Sequence, residues 1–268
     1  MNLLCIFPIT NIPENYPKII KNFELNIAPS LKKLGVDIDI KFAGTDYKFV
    51  STGESIPIGS KKGEGILECI KNCTSQPEFV IMCDGSGTIP YEYILEVFQE
   101  LTSDSSIYGV MANRGENKSI SEERLLIERF EIYVLKKHYD YKKNIPDGQC
   151  GLWGYRTFNK NNPNKKIILT AKSYDIELDL LGELLKNNLN FSFININLPP
   201  REVSSSFTYE NNLKKMRFLL KKYKDIKPKL KDYAILFETT PEYLKIMENK
   251  SIKVTWDKYL KDLDALIS

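Results

Sequence analysis

The chain has 268 residues, 42% of them hydrophobic and 27% charged, an ordinary globular composition with ample core for one large α/β domain or two small ones. A net charge of +3 and a pI near 8.4 are too mild to imply a nucleic-acid partner, and no apolar run reaches the roughly 20 residues that a spanning helix needs. Five cysteines, an odd count with no completed zinc pattern, read as thiols kept reduced in a cytoplasm.

The opening MNLLCIFPIT is apolar but short and lacks a basic start. It predicts a first strand over Leu3–Phe7, ended by Pro8, rather than a signal peptide. Residues 12–34 carry Ile19, Ile20, Phe23, Leu31 and Leu34 at helical spacing, with an interruption near Pro29 and Gly35 where a C-cap belongs. Val36–Phe42 alternates charged and apolar residues, a second strand. The stretch 46–62, rich in Gly, Ser and Thr, reads as an exposed loop, and 65–73 as a short helix. Phe79–Cys83 is a third, wholly apolar strand. A helix opened by Pro90 runs to Leu101, and Ile107–Met111 is a fourth strand. This alternation argues for a parallel sheet with helices on both faces.

Beyond Met111 the pattern loosens. Glu122–Tyr139 reads as a long helix with acids early and bases late, as the macrodipole favours. NIPDGQCGLWGYRTF follows as a loop. Tyr174–Leu185 reads as a helix, Phe191–Leu198 as a strand and PPREVSSSF as a polar loop. The lysine-rich helix Asn211–Tyr223 suits a solvated face or contact with an anionic membrane surface.

In open parallel sheets, ligands bind beyond the carboxyl ends of the strands. Those ends carry Pro8-Ile9-Thr10-Asn11, Gly44-Thr45-Asp46, Asp84-Gly85-Ser86 and Ala112-Asn113-Arg114. Carboxylates, an arginine and small polar groups converging on one edge suit a phosphorylated ligand, neutralised by a metal or by Arg114. Neither GxxxxGK[ST] nor GxGxxG is present, which disfavours P-loop and NAD enzymes.

The ordered set FPITNIPEN, KKGEGILECI, VIMCDGSGTIPYEYI, NRGENKSISEERLLIERF, NIPDGQCGLWGYRTF and YDIELDLLGELLKNNLNFSFININLPPREVSSSF resembles family 2 glycosyltransferases of the dolichyl-phosphate mannose synthase type. The match runs from about Leu3 to Phe207. The resemblance implies a GT-A-like fold, a Rossmann-like mostly parallel sheet, and inverting transfer of a sugar from a nucleoside diphosphate sugar. On it, Pro8, Thr10, Asn11, Asp46, Gly63, Asp84, Gly85, Ser86 and Arg114 would meet the nucleotide sugar. Arg129, Gln149, Trp153, Glu177, Arg201 and Ser204 would meet acceptor or diphosphate. Asp84 would hold a divalent metal, Mg or Mn. Asp147 would act as general base toward an acceptor hydroxyl. A lipid-phosphate acceptor, which needs no strong base, and a catalytically silent nucleotide-sugar-binding protein are the alternatives.

One departure bears on the metal. The family signature has two aspartates, and here Ser86 stands where the second belongs, a neutral and poor ligand for a hard dication. Plainer readings accompany each residue: a turn or cap for Asp84 and Asp147, core packing for Trp153, surface ion pairs for Arg114, Arg129 and Arg201, a solvated helix position for Glu177. The organisation expected is a GT-A domain over 1–207, with a nucleotide-sugar half over 1–111 and an acceptor half over 112–207. A basic helical extension covers 208–268. The protein is expected in the cytoplasm, with peripheral contact at the inner face of a membrane.

Overall fold

The computed structural model describes residues 1–9, 16–44, 49–51, 54–56, 61–73, 76–115, 121–157, 166–198 and 209–267. The expectations placed on Thr10, Asn11, Asp46, Arg201 and Ser204 lie outside these residues. By internal contacts the chain divides into two compact units, residues 1–115 with 146–199, and residues 116–145 with 200–268.

The first unit is built on a six-stranded sheet in the order β2-β1-β5-β7-β6-β8. Its strands are β1 (Asn2–Ile9), β2 (Asp37–Gly44), β5 (Phe79–Cys83), β6 (Ile107–Asn113), β7 (Leu152–Arg156) and β8 (Asn190–Asn195), and β3 (Phe49–Ser51) pairs with β4 (Glu54–Ile56) as a separate antiparallel ribbon. The β1–β2, β1–β5 and β6–β8 pairings are parallel. The exception is β7, which runs antiparallel between β5 and β6. The expectation of a loop over LWGYR is overturned. The segment is a central strand, buried on both faces, so it shows no polar alternation to betray it.

Helices cover both faces. The first helical stretch is α1 (Tyr16–Asn22), a π-helical turn over Phe23–Ile27 and α2 (Ala28–Lys33), with Pro29, which cannot donate to the helical ladder, directly after the π-helical turn. Gly35 ends it at φ +69°, the left-handed C-cap expected. Alternate residues of β1, namely Leu3, Cys5, Phe7 and Ile9, join Ile19, Phe23, Ile27 and Leu31 in one apolar core. Ile94, Val97, Phe98 and Leu101 of α4 (Tyr93–Ser103) belong to the same core. α3 (Lys62–Lys71) packs on β1 and β2 and begins three residues earlier than its sequence suggests.

The second unit gathers α5 (Glu122–His138) with the C-terminal helices. α6 (Ile176–Lys186) belongs to the first unit, whereas α7 (Tyr209–Lys222), a 3-10 turn over Lys224–Lys229, α8 (Leu230–Phe237), α9 (Pro241–Met247) and α10 (Lys250–Ile267) belong to the second. Its core is aromatic: Phe130 meets Phe237, Trp256 and Tyr259 at centroid separations of 5.3, 5.1 and 6.4 Å. Ser121 caps α5 by accepting from the Arg124 amide. Among the described residues, no helix is long and apolar enough to cross a membrane.

Candidate active site

The strand order brings four chain segments to one edge of the sheet. β1, β5 and β6 end there, at Pro8-Ile9, Asp84 and Arg114. Because β7 is reversed, its beginning lies at the same edge and delivers Asp147, Gln149 and Gly151 beside them. The Asp84 amide donates to the Gly151 carbonyl at 2.7 Å, and the Gly85 amide donates to the Pro8 carbonyl at 2.9 Å. A Cβ at residue 85 would stand 2.7 Å from that Pro8 oxygen, so this close approach admits only glycine.

Asp84 answers its sequence expectation in position: it follows a wholly buried strand directly and leaves it at the carboxyl edge. Its partner is Lys62, which carries no expectation from the sequence. Lys62 Nζ lies 2.8 Å from Asp84 Oδ1 and 2.6 Å from Glu177 Oε1, and only 9% of the Lys62 side chain is exposed. Burial works against the lysine's charge, but the two carboxylates outweigh it and hold its pKa above the ordinary lysine value. Glu177 sits in the first turn of α6 with its side chain 5% exposed, which sets aside the solvated-helix reading.

Gly63 fixes the lysine's backbone. A Cβ there would lie 2.5 Å from the Ala171 carbonyl oxygen, so α3 presses on the strip 171–173, and the Glu64 amide donates to the Lys172 carbonyl. That strip is itself clamped by Asp179, fully buried on α6, which accepts from the amides of Thr170 and Ala171 at 2.5 and 2.7 Å. Gly63 thus serves as a packing residue beside the site. The signal for Lys62 was its place directly before that glycine in KKGEGI.

A second ion pair stands at the same edge. Arg114 grips Asp147 with both arms, Nε to Oδ2 at 2.6 Å and Nη2 to Oδ1 at 2.8 Å, while the amides of Arg114 and Gln149 donate to the same carboxylate at 3.2 and 3.0 Å. Burial pushes the Asp147 carboxyl up, yet Arg114 and these amides hold it below the ordinary carboxylate range. Such a group is a weak proton acceptor. Gln149 is buried and its amide serves this pair.

Trp153 is completely buried in β7, paired across to Met82 and Met111, and offers no ring face to a sugar. Arg129 lies on α5 in the second unit. Burial pushes the thiols of Cys5, Cys83 and Cys150 up, leaving them neutral and unsuited to nucleophilic work.

The sequence expectation of a metal at Asp84 can be tested on the donors. Asp84 Oδ1 is already in contact with an ammonium, and the Ser86 hydroxyl is hydrogen-bonded to the Thr88 hydroxyl at 2.7 Å. Among the described residues, no group of three or more His, Cys, Asp or Glu side chains is placed to hold a metal ion. One paired carboxylate and a neutral hydroxyl do not make the oxygen cage of a hard dication.

Fold and edge together define a class: an α/β protein with a mostly parallel sheet whose carboxyl edge carries ion pairs of acids with lysine and arginine. No family model matches the chain, and a search of curated proteins finds no match. Among solved structures, it is similar to glucosyl-3-phosphoglycerate synthase from M. tuberculosis at 13% identity and a TM-score of 0.54, covering 82% of this chain and 80% of that one. It is also similar to mannosyl-3-phosphoglycerate synthase from Rubrobacter xylanophilus at 11% identity and a TM-score of 0.54, covering 82% and 72%. The chain has the GT-A-like fold of these synthases.

Proposed function

We propose that this protein is a glycosyltransferase that moves a sugar from a nucleoside diphosphate sugar to an acceptor. The observation that carries the reading is the edge itself: Asp84, at the end of a buried strand, is held by Lys62, and Arg114 holds Asp147 at the same edge of a GT-A-like sheet. Two sugar-adding synthases with the same fold support it. The motif order supports a relationship to the dolichyl-phosphate mannose synthase type, and with it inversion at the anomeric carbon. As the glycosidic bond breaks, charge develops on the leaving diphosphate and must be met by fixed positive groups. Lys62 and Arg114 are the cations described at that edge.

For the acceptor, one observation favours the second reading. A hydroxyl needs a base, and Asp147 is tied at both oxygens to Arg114 with a depressed pKa. An acceptor that arrives already anionic, such as a polyprenyl phosphate, needs none. The second unit is rich in lysine and exposes Ile235, Leu236, Leu244 and Val254, which supports peripheral contact with a lipid surface.

The experiment is a thermal-shift and calorimetric panel of nucleoside diphosphates and their sugars on the full chain, followed by product detection with hydroxyl and lipid-phosphate acceptors. A ligand at a hundred times its Kd should stabilise the fold by about 2.7 kcal/mol. Binding without turnover on any acceptor would leave the silent nucleotide-sugar-binding protein. Absence of any binding would overturn the proposal.

A further inference from the structure

The Lys62 ammonium is fixed before any ligand arrives. Its residue opens α3, the next residue is wedged against Ala171–Ser173, and Asp84 and Glu177 hold its nitrogen from two sides at 2.8 and 2.6 Å. Two carboxylates and one ammonium leave one negative charge over. Lys62 and Glu177 lie in the first turns of α3 and α6, and each helix N-terminus is equivalent to about half a positive charge. The two N-termini, shared with Glu64, Asp175 and Asp179, offset part of that charge.

We propose that the Lys62 ammonium takes the place of the divalent cation at Asp84, so that a fixed lysine rather than a metal stands between this carboxylate and Glu177. A dication bound to Asp84 Oδ1 at about 2.1 Å would stand within about 5 Å of this ammonium and be repelled by it. The hydroxyl of Ser86, two residues on, adds no charge to compensate and is occupied by Thr88. An ammonium has three N–H donors. Asp84 and Glu177 take two, which leaves the third for a phosphate oxygen. That last step rests on the nucleotide-sugar reading; the exclusion of metal does not.

The test begins with Mn²⁺ alone, titrated calorimetrically into the full chain as wild type, Lys62→Met and Lys62→Arg, with melting curves for each. Wild type and Lys62→Arg should show no saturable binding at millimolar Mn²⁺. Lys62→Met, with two carboxylates released, should bind it about tenfold more tightly or better. Wild type that binds Mn²⁺ as tightly as Lys62→Met overturns the proposal. Should Lys62→Met fail to fold, wild type decides alone: nucleoside diphosphate affinity in EDTA should match that in Mn²⁺ within about twofold, and a tenfold loss in EDTA overturns the proposal. If no nucleoside diphosphate binds in either medium, the functional reading fails, and saturable binding of Mn²⁺ by wild type then overturns the lysine assignment by itself.

Discussion

The carboxylate of Asp84 rests on Gly151: a Cβ at residue 151 would stand 1.9 Å from Asp84 Oδ2 and 2.3 Å from its Cγ. Gly151→Ala must therefore displace the Asp84 carboxylate from the position in which Lys62 holds it. The expected outcome is a stability loss of about 1–3 kcal/mol, the usual cost of overpacking, with nucleotide affinity weakened about tenfold. Melting curves and calorimetry on the variant measure both. Unchanged affinity would separate Asp84 from the ligand.

Arg114 and Asp147 are a buried pair, their side chains 11% and 8% exposed. Arg114→Met leaves a carboxylate uncompensated, and the expected cost is about 3–5 kcal/mol in urea unfolding at pH 7. The sign with pH follows from the depressed folded pKa of Asp147. Its contribution is full above the unfolded value of about 3.9 and is lost as pH falls through the folded one. The stability gap between wild type and Asp147→Asn should accordingly narrow as pH falls below about 4 and close once pH is below the folded pKa. A gap that persists there would show that the charge is not what stabilises.

Asp147→Asn also separates the acceptor classes. A lost general base costs roughly 10²–10⁴-fold in rate. With the carboxylate committed to Arg114, transfer is expected to stay within about tenfold of wild type once donor binding is matched. A fall into the larger range would return Asp147 to the role of base and the acceptor to a hydroxyl.

Asp179 acts on the site through the chain it clamps. Asp179→Ala strands the amides of Thr170 and Ala171, at a cost of about 1–3 kcal/mol for each group left unsatisfied. Hydrogen exchange at those two amides should rise markedly, and the strip that supports Gly63 should loosen with it. Protection equal to wild type would assign the clamp to other contacts.

The sequence alone determined what is local. Phe79–Cys83 is a run of apolar residues bounded by Asp84, and the structure keeps it as β5, residue for residue. Gly35 marks a helix end because a left-handed turn is a demand of the backbone nearby. The edge where Pro8, Asp84 and Arg114 meet was legible as well, since parallel strands bring their carboxyl ends together. Tertiary structure decided the rest. LWGYR looked like loop because a strand buried on both faces has no polar alternation, and only pairing with β5 and β6 identifies it. α3 starts at Lys62, through glycines that disfavour helix, because Gly63 must lie against Ala171. That contact carries Lys62 to Glu177, 115 residues away in sequence. No local pattern encodes such a meeting: the charge of the site is fixed by packing between α3 and the strip before α6, and it exists only once both are folded.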